Sequence, residues 1–366
     1  MTRRSQMMSP YMEWAKLCSA AKYNLATSGM MSYPLAELPV RMEDLEINGP
    51  DSYGYVPLLE RLARYNDVPI ECVVASAGTS LSNHLAMAAT FDPGDDVLIE
   101  HPTYELLEST ALYLGAKLRR FERRLEDDFR IDPEQIERNI APQTKLIVLT
   151  NLHNPTGAYA DEATMEAVSE IAKAHGARVL VDEVYLETYY GQRPRPAFHL
   201  GDHFLVTSSL TKAFGLSGIR CGWVLASPEL CHRMWRINDL YAATPVHPAE
   251  LISVVAFDNL ERVAARAQKI LEANRASLAA FLDARRDLEV FRPGLGTIVF
   301  PRLRHGSVDE FIALLREKYE CSVVPGRFFD MPQHFRIGIG GETEMTRSGF
   351  ERLAAALDEY GPGKTQ

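Results

Sequence analysis

Two ionisable side chains, Lys212 and Asp182, follow short apolar runs of the kind that form buried strands. Lys212 lies among small residues, and partial burial there would lower the pKa of its amine. An amine of that kind can form a Schiff base with an aldehyde. Asp182 closes the apolar run Val179–Val181, and a carboxylate buried at that point requires a cationic partner. Each residue alone also fits a plain role, as a surface lysine or a helix cap, so their companions decide the chemistry.

A second group of residues suits a phosphate. Gly78, Thr79 and Ser80 stand where a strand gives way to a helix, and the free N–H groups of a helix N-terminus bind phosphate. Ordinary helix capping by Thr79 or Ser80 is the alternative. Arg220, eight residues after Lys212, could add a bidentate phosphate contact.

The elements that must position these groups alternate between strands and helices. Strand-like runs lie at Cys72–Ser76, Asp96–Glu100, Leu146–Thr150, Val179–Asp182, Phe204–Ser208 and Cys221–Ala226, with helical periodicity at, for example, Leu81–Phe91, Glu105–Leu114 and Glu162–His175. This pattern predicts an α/β fold with a mostly parallel sheet that helices cover on both faces. Such sheets bind ligands beyond the carboxyl ends of their strands, where the residues above are found.

The pattern changes after about residue 245. A long helical stretch near Pro248–Arg286 precedes short strand-like and helical runs, which read as a smaller α+β domain. We expect an N-terminal arm at 1–45, with a helix near Tyr11–Lys22, that contributes to the small domain or to a dimer contact. The large domain is expected at 46–265 and the small domain at 266–366.

Composition excludes several classes of protein. The 366 residues carry a formal net charge of −10, which argues against a broad nucleic-acid-binding face. The pairs Arg119-Arg120 and Arg123-Arg124 are interpreted as part of a solvated strand edge. No run of about 18 apolar residues predicts a membrane span, and no apolar run follows Arg3 and Arg4, so we expect no signal peptide. Five widely spaced cysteines predict free thiols in the cytoplasm and no metal site.

Three linked motifs make the set specific, and they resemble those of the class I/II aminotransferases, the fold type I enzymes that use pyridoxal 5′-phosphate (PLP). The motifs are Asn154-Pro155-Thr156-Gly157, Asp182-Glu183-Val184-Tyr185 and Ser209-Leu210-Thr211-Lys212 running to Arg220-Cys221-Gly222-Trp223. They stand in the family's order, and the resemblance covers about Leu25 to Leu357. It implies a sheet of the seven-stranded type in the large domain.

The resemblance also implies roles for the residues that hold the cofactor. Lys212 matches the lysine that binds the cofactor covalently and moves the substrate proton, and Asp182 matches the carboxylate that keeps the pyridine nitrogen protonated. Tyr185 and Asn154 match the pair at the 3-oxygen of the ring, and Tyr104 matches the aromatic residue that stacks on it. The implied phosphate cup consists of Gly78, Thr79, Ser80, Ser209 and Arg220.

The remaining roles concern the substrate and the partner subunit. Arg336 matches the arginine that binds the substrate α-carboxylate, with Asn154 beside it. The family assembles its sites in a homodimer and often donates a tyrosine to the partner's phosphate; Tyr53 is preferred here to Tyr55. His153 is a candidate to face the cavity, with a plain loop histidine as the alternative. The segment Ser28–Met30 is a candidate to approach the substrate side chain, and Arg41 is a candidate for a side-chain carboxylate.

The implied reaction moves an amino group between an L-amino acid and a 2-oxo acid by a ping-pong mechanism. A PLP-dependent β-lyase or cyclase and a histidinol-phosphate-type aminotransferase remain as alternatives. The stretch Ser209–Lys212 also fits the S-x-x-K motif of β-lactamases, but the S-D-N and K-T-G elements are missing. A sensor domain of a transcription regulator is the non-enzymatic alternative.

Overall fold

The sequence folds into a three-layer α/β structure with a second, smaller α+β unit, as a computed structural model shows for residues 6–50 and 52–361. The helices are α1 (Pro10–Leu17), α2 (Val56–Asn66), α3 (Thr79–Thr90), α4 (Glu105–Tyr113), α5 (Pro133–Asn139), α6 (Glu162–Ala174), α7 (Pro228–Asn238), α8 (His247–Asp258), α9 (Leu260–Asp283), α10 (Val308–Tyr319) and α11 (Thr343–Tyr360). None of the helices in these two ranges is both long enough and apolar enough to cross a bilayer.

Fourteen strands accompany them in the described ranges. They are β1 (Tyr23–Asn24), β2 (Val73–Ala77), β3 (Asp96–His101), β4 (Lys117–Glu122), β5 (Thr144–Thr150), β6 (Arg178–Asp182), β7 (Phe204–Ser209), β8 (Cys221–Leu225), β9 (Leu288–Glu289), β10 (Ile298–Val299), β11 (Arg302–Leu303), β12 (Cys321–Ser322), β13 (Val324–Pro325) and β14 (Phe335–Gly338).

Seven of these strands form the central sheet, in the order β2-β8-β7-β6-β5-β3-β4. Only β8 runs against its neighbours, so the sheet is mostly parallel. Its central strands are apolar on successive residues because helices cover both faces, and β6 and β7 are buried almost throughout. The predicted α/β fold with a mostly parallel seven-stranded sheet is confirmed.

The two largest apolar cores of the described residues are divided near residue 265 of helix α9. The first contains the sheet and extends from Tyr33 to Val263, whereas the second joins Leu25 and Met30 to residues between Ala267 and Leu357. Helix α9 belongs to both cores. The domain boundaries predicted from the sequence remain predictions, and the long helical stretch predicted after residue 245 is two helices that meet at Asn259.

Helix α1 begins with a cap and ends earlier than expected. The Ser9 hydroxyl accepts a hydrogen bond from the N–H of Met12, and Pro10 takes the first helical position, where its missing N–H costs nothing. The buried face of the helix places Tyr11 against Ala26, Phe300 and Phe329 among others. Helix α1 therefore packs against the large unit, which supplies Phe129 to this cluster, and against the smaller C-terminal unit.

The interpretation of Arg123 as a solvated residue is wrong. Its side chain is fully buried, with Nη1 donating to Oε2 of Glu100 at 2.6 Å and Nε donating to the carbonyl of Phe129. Strand β4 is indeed an edge strand, and Arg119 and Arg120 on it are half-buried or exposed. Arg123 follows the end of β4, where the chain turns inward over the sheet.

Candidate active site

A cavity of about 290 Å³ lies at the carboxyl ends of β5, β6 and β7, where the first turn of α3 meets them. This is the edge at which open α/β sheets bind ligands. Its walls contain nine of the predicted site residues, namely Thr79, Ser80, Tyr104, Asn154, Asp182, Tyr185, Ser209, Lys212 and Arg220. The fold thus brings together residues that are up to 141 positions apart, from Thr79 to Arg220.

Lys212 projects into this cavity from the loop that follows β7. Its Nζ donates a hydrogen bond to the hydroxyl of Ser28 at 3.0 Å, and its carbonyl accepts one from the N–H of Met30. A Cβ atom at Gly29 would lie 3.4 Å from Cα of Lys212, so the two backbones are in close contact. The segment Ser28–Met30 therefore packs against the lysine, and Ser28 lines the cavity.

Asp182 ends β6 and is buried below the centre of the cavity. Oδ2 accepts a hydrogen bond from Nδ2 of Asn83 at 2.9 Å, and Oδ1 accepts one from the N–H of Val184 at 3.1 Å. Burial raises the pKa of its carboxyl to about 6 despite these two bonds. Among the described residues no cation pairs with it within 4 Å, so a cationic ligand would find an unpaired carboxylate here.

The first turn of α3 and the end of β7 form a cup of N–H and O–H groups. The Thr79 hydroxyl donates to Oγ of Ser209 at 2.8 Å, and the N–H of Thr211 donates to the same atom. The guanidinium of Arg220 lies across this turn and donates to the carbonyls of Ala77 and Ser217, with no carboxylate of the described ranges within 4 Å. Such a cup suits a phosphate.

Gly78 fits this cup because it has no side chain. Its φ is +87°, and a Cβ atom there would lie 2.3 Å from Nη2 of Arg220. Any other residue would strain the backbone and displace the guanidinium.

Arg336 is fully buried directly behind the cavity wall. Nη1 donates to Oδ1 of Asn154 and Nη2 donates to the hydroxyl of Tyr11, both at 2.8 Å. Its Nε has no partner, and no carboxylate in the described part of the chain lies within 4 Å. A guanidinium buried among neutral partners is a site for an anion.

Two tyrosines complete the walls around these groups. The hydroxyl of Tyr185 is buried and finds no hydrogen-bond partner within residues 6–50 and 52–361. Tyr104, the residue before α4, lies edge-on to Tyr11 with ring centroids 5.6 Å apart. A buried phenol without a partner is expected to bond to a ligand.

Three candidates lie away from the cavity. Tyr53 is 42% exposed, and its hydroxyl bonds to Asp239 and Arg236. Arg41 is a surface residue paired with Asp44 and Glu43, so nothing supports it as a substrate ligand. His153 is fully buried: its ring nitrogens contact the hydroxyl of Thr156 and the carbonyl of Pro102, and burial holds the pKa of its imidazole well below the usual value.

Sequence reasoning missed three contributors to the site, Tyr11, Asn83 and Thr150, all of which line the cavity. Asn83 lies one helical turn after Thr79, so a search along the helix that opens at the phosphate cup could have found it. Thr150 is the last residue of β5 and therefore ends at the same sheet edge. Tyr11 has no such signal, because its contact with Arg336 joins opposite ends of the chain.

Comparison with known proteins identifies the family. The family model described as aminotransferase class I and II matches residues 45–353. The chain is 29% identical over 302 residues to the arginine–pyruvate transaminase of Pseudomonas aeruginosa, covering 80% of this chain and 76% of that protein. It is 28% identical over 355 residues to the capreomycidine synthase of Streptomyces vinaceus, covering 93% and 90%. A solved PLP-dependent aminotransferase from Streptococcus suis has 25% identity and a TM-score of 0.92, covering 98% of this chain and 100% of that one.

The chain belongs to the class I and II aminotransferases, because the family model spans most of its length. It is a PLP-dependent aminotransferase of fold type I, as the resemblance implied. The residues around the cavity fit this cofactor: an amine for its aldehyde, an unpaired carboxylate for a pyridinium, a phenol without a partner and a cup for its phosphate. These comparisons do not favour the β-lyase, cyclase or histidinol-phosphate alternative.

Proposed function

We propose that this enzyme moves an amino group between an L-amino acid and a 2-oxo acid by a ping-pong mechanism, with Lys212, Asp182 and Tyr185 as its catalytic residues. The observation that carries the proposal is Arg336, a buried guanidinium whose partners are the neutral oxygens of Asn154 and Tyr11. An α-carboxylate, which every amino acid and 2-oxo acid carries, would satisfy it.

The cofactor would be held at its aldehyde, at its phosphate and around its ring. Lys212 would hold it covalently through Nζ, and the cup of Gly78, Thr79, Ser80, Ser209 and Arg220 would bind its phosphate. Asp182 would hold the proton of the pyridine nitrogen, while Tyr185 and Asn154 would donate to the ring oxygen and Tyr104 would cover one face of the ring. When bound in this way, PLP supplies an electron sink for the bonds at the substrate α-carbon.

The chain's own residues then bind the substrate and move its proton. Arg336 and Asn154 orient the substrate through its α-carboxylate, which fixes the α-carbon relative to Lys212. The amine of Lys212 takes the proton from that carbon as a general base. The Ser28 hydroxyl lies 3.0 Å from Nζ of Lys212 and accepts its hydrogen bond in the ligand-free protein. Residues of helix α1 and Ser28 form one wall of the same cavity.

We also propose a homodimer, because apolar side chains are exposed on two neighbouring segments, 42–56 and 235–247. Their exposed members are Met42 (85%), Ile47 (81%), Val56 (52%), Leu240 (81%), Tyr241 (55%) and Val246 (71%). The segments touch where Tyr53 stacks on Trp235 and Tyr55 meets His247 edge-on. A surface of this kind is typical of a subunit interface. Tyr53 lies on it, which supports its predicted contact with the phosphate in the partner subunit.

We also propose a cytoplasmic location, on the state of the cysteines. All five cysteines are free, and four of them are buried, so a reducing compartment would suit the protein.

The proposal is tested by the absorption spectrum of the purified holoenzyme before and after each of a panel of amino acids. We expect the cofactor band to be replaced by that of pyridoxamine phosphate, with one equivalent of the matching 2-oxo acid released. Pyruvate and ammonia released from a substrate with a β-substituent, with the band unchanged, would contradict transamination. A protein that shows no cofactor band even after PLP is added would contradict the site assignment.

A further inference from the structure

Part of the cavity is left over once the cofactor and carboxylate groups are assigned. Its remaining walls are Tyr11, Met12, Trp14 and Ala15 of helix α1, Ser19 just after it, and Ala26 and Thr27. This part lies next to Lys212, whose Nζ contacts Ser28, the residue after Thr27. A substrate side chain has this region to occupy, because the other walls bind the parts that all amino acids share.

None of the seven wall residues of this region carries a charge; the cations beside it, Lys212 and Arg336, are assigned to the cofactor and to the α-carboxylate. The two charged residues of α1, Glu13 and Lys16, are exposed on the outer side of the helix and do not line the cavity. The hydroxyl of Ser19 is engaged with the carbonyl of Ala15. A side-chain carboxylate or guanidinium buried here would find no oppositely charged group among these wall residues, and an unpaired buried charge is strongly unfavourable.

Helix α1 contacts both Arg336, the proposed ligand of the α-carboxylate, and Tyr104, the proposed ring-stacking residue. The Tyr11 hydroxyl bonds to Nη2 of Arg336, and the Tyr11 ring meets that of Tyr104 edge-on. Tyr11, Met12 and Trp14 lie within one turn of α1, so the contact of Tyr11 with Arg336 determines the distance between the apolar side chains and the substrate α-carboxylate. The hydrogen bond from Arg336 to Tyr11 therefore fixes the position of the Met12 and Trp14 side chains in the site.

We propose that helix α1 is a specificity element that selects amino acids with bulky, uncharged side chains, aliphatic or aromatic. This inference rests on the proposed function and adds the substrate class to it. It distinguishes the chain from the relative that is named for arginine, since a guanidinium would find no carboxylate in this region. Trp14 and Met12 supply the apolar contact, and Tyr11 keeps it in register with Arg336.

The test measures how the holoenzyme binds three carboxylates that lack an amino group and so cannot react. We expect 3-phenylpropanoate to bind at least about tenfold more tightly than succinate or 5-guanidinopentanoate in titration calorimetry, because only the first has an uncharged side chain. Trp14→Ala should weaken 3-phenylpropanoate about tenfold or more, whereas Trp14→Phe should restore most of the loss. Leu17→Ala, on the same helix but 75% exposed, is the matched control and should change nothing.

Tighter binding of succinate or 5-guanidinopentanoate would overturn the inference, and so would an unchanged affinity in Trp14→Ala. Both results would leave the proposed function intact if the amino acid panel still gave 2-oxo acids. A holoenzyme that binds the carboxylates in the expected order but transaminates no amino acid would instead overturn the proposed function. The two failures are therefore distinguishable.

Discussion

The hydroxyl of Tyr11 accepts a hydrogen bond of 2.8 Å from Nη2 of Arg336, although the two residues are 325 positions apart in the chain. Arg336 is fully buried, and among the described residues its guanidinium has one other hydrogen-bond partner, the side-chain oxygen of Asn154. The N-terminal helix thus occupies one donor of the arginine that we propose for the substrate carboxylate. Helix α1, which forms one wall of the cavity, therefore contacts the group that we propose for the substrate anion.

Replacing Tyr11 by phenylalanine keeps the ring and leaves Nη2 of Arg336 without its acceptor. We expect the free energy of unfolding of the ligand-free protein to fall by about 1 to 2 kcal/mol, because a buried donor loses its partner. A saturating carboxylate such as 3-phenylpropanoate should recover part of that loss by bonding to the arginine. Chemical denaturation with and without the carboxylate measures both effects. Tyr159→Phe, at a residue 38% exposed, is the control, and an equal loss there would contradict the argument.

Replacing Lys212 by alanine should abolish transamination while the cofactor still binds non-covalently. Removal of a positioned general base alone lowers a rate by about 10² to 10⁴-fold, and here the covalent link is lost as well. The rate of the half-reaction with the best amino acid measures this, and the absorbance of bound PLP reports occupancy. Lys173→Ala, which removes a lysine on the surface of α6, is the control. Substantial transamination by Lys212→Ala would refute the assignment.

Asp182 should make the PLP-free protein less stable as the pH rises. Burial raises the pKa of its carboxyl from 3.8 to about 6, so between these values the folded state binds more protons than the unfolded state. The free energy of unfolding therefore falls through this window, by about 3 kcal/mol in total. Asp182→Asn should remove this part of the pH dependence. Burial, with a smaller contribution from the Asp182 charge, raises the carboxyl pKa of Glu183 to about 8, so folded Glu183 stays protonated up to about pH 6 and the comparison of the two proteins is made below that pH.

The same substitution should weaken PLP binding, because a neutral amide cannot hold the pyridinium proton as a carboxylate does. Denaturation of the PLP-free protein at several pH values and fluorescence titration with PLP measure the two effects. Identical pH profiles in the two proteins, or unchanged PLP affinity, would contradict the proposed role of Asp182.

Glu100 and Arg123 form a fully buried ion pair close to the site. Glu100 also holds the end of strand β5 through hydrogen bonds to Thr150. Oε1 of Glu100 accepts from both the N–H and the hydroxyl of Thr150, which in turn accepts from the N–H of Asn154. Glu100→Gln leaves the charge of Arg123 buried without a carboxylate, and we expect a loss of about 3 to 5 kcal/mol. Asp309→Asn, which breaks the exposed pair with Arg327, should cost little. Chemical denaturation measures both losses, and equal losses in free energy of unfolding would contradict the stabilising role of the buried Glu100–Arg123 pair.

Val246→Asp tests the proposed homodimer. The side chain is 71% exposed within the apolar surface, and a carboxylate there would be buried without a partner on association. We expect sedimentation velocity to show monomers at concentrations where the wild-type protein is dimeric. Leu17→Asp, at an apolar residue of α1 that is 75% exposed, should leave the dimer unchanged. A wild-type monomer would contradict the dimer outright.

The strands and their polar ends were predictable, because a covered parallel sheet requires unbroken apolar runs and its ligand groups follow them. The runs that end at Asp182 and near Ser209 are the clearest cases, and both strands form as expected within a residue. The buried place of Arg123 was not predictable, because its ion pair with Glu100 depends on how the chain turns after an edge strand. Strand β1 has only two residues and pairs with β12 across the whole chain, so no local pattern reveals it.

The two apolar cores differ in how soon they can form as the chain leaves the ribosome. The first draws only on the continuous stretch from Tyr33 to Val263, whereas the second needs Leu25 and strand β1 to meet residues beyond Ala267. Tyr23 must therefore wait for Cys321, an interval of roughly 15 to 60 s at translation rates of about 5 to 20 residues per second. Thr79, Asp182 and Lys212 emerge within the early core, and Arg336 comes last. The residues of the cofactor half are thus synthesised before Arg336 of the substrate half.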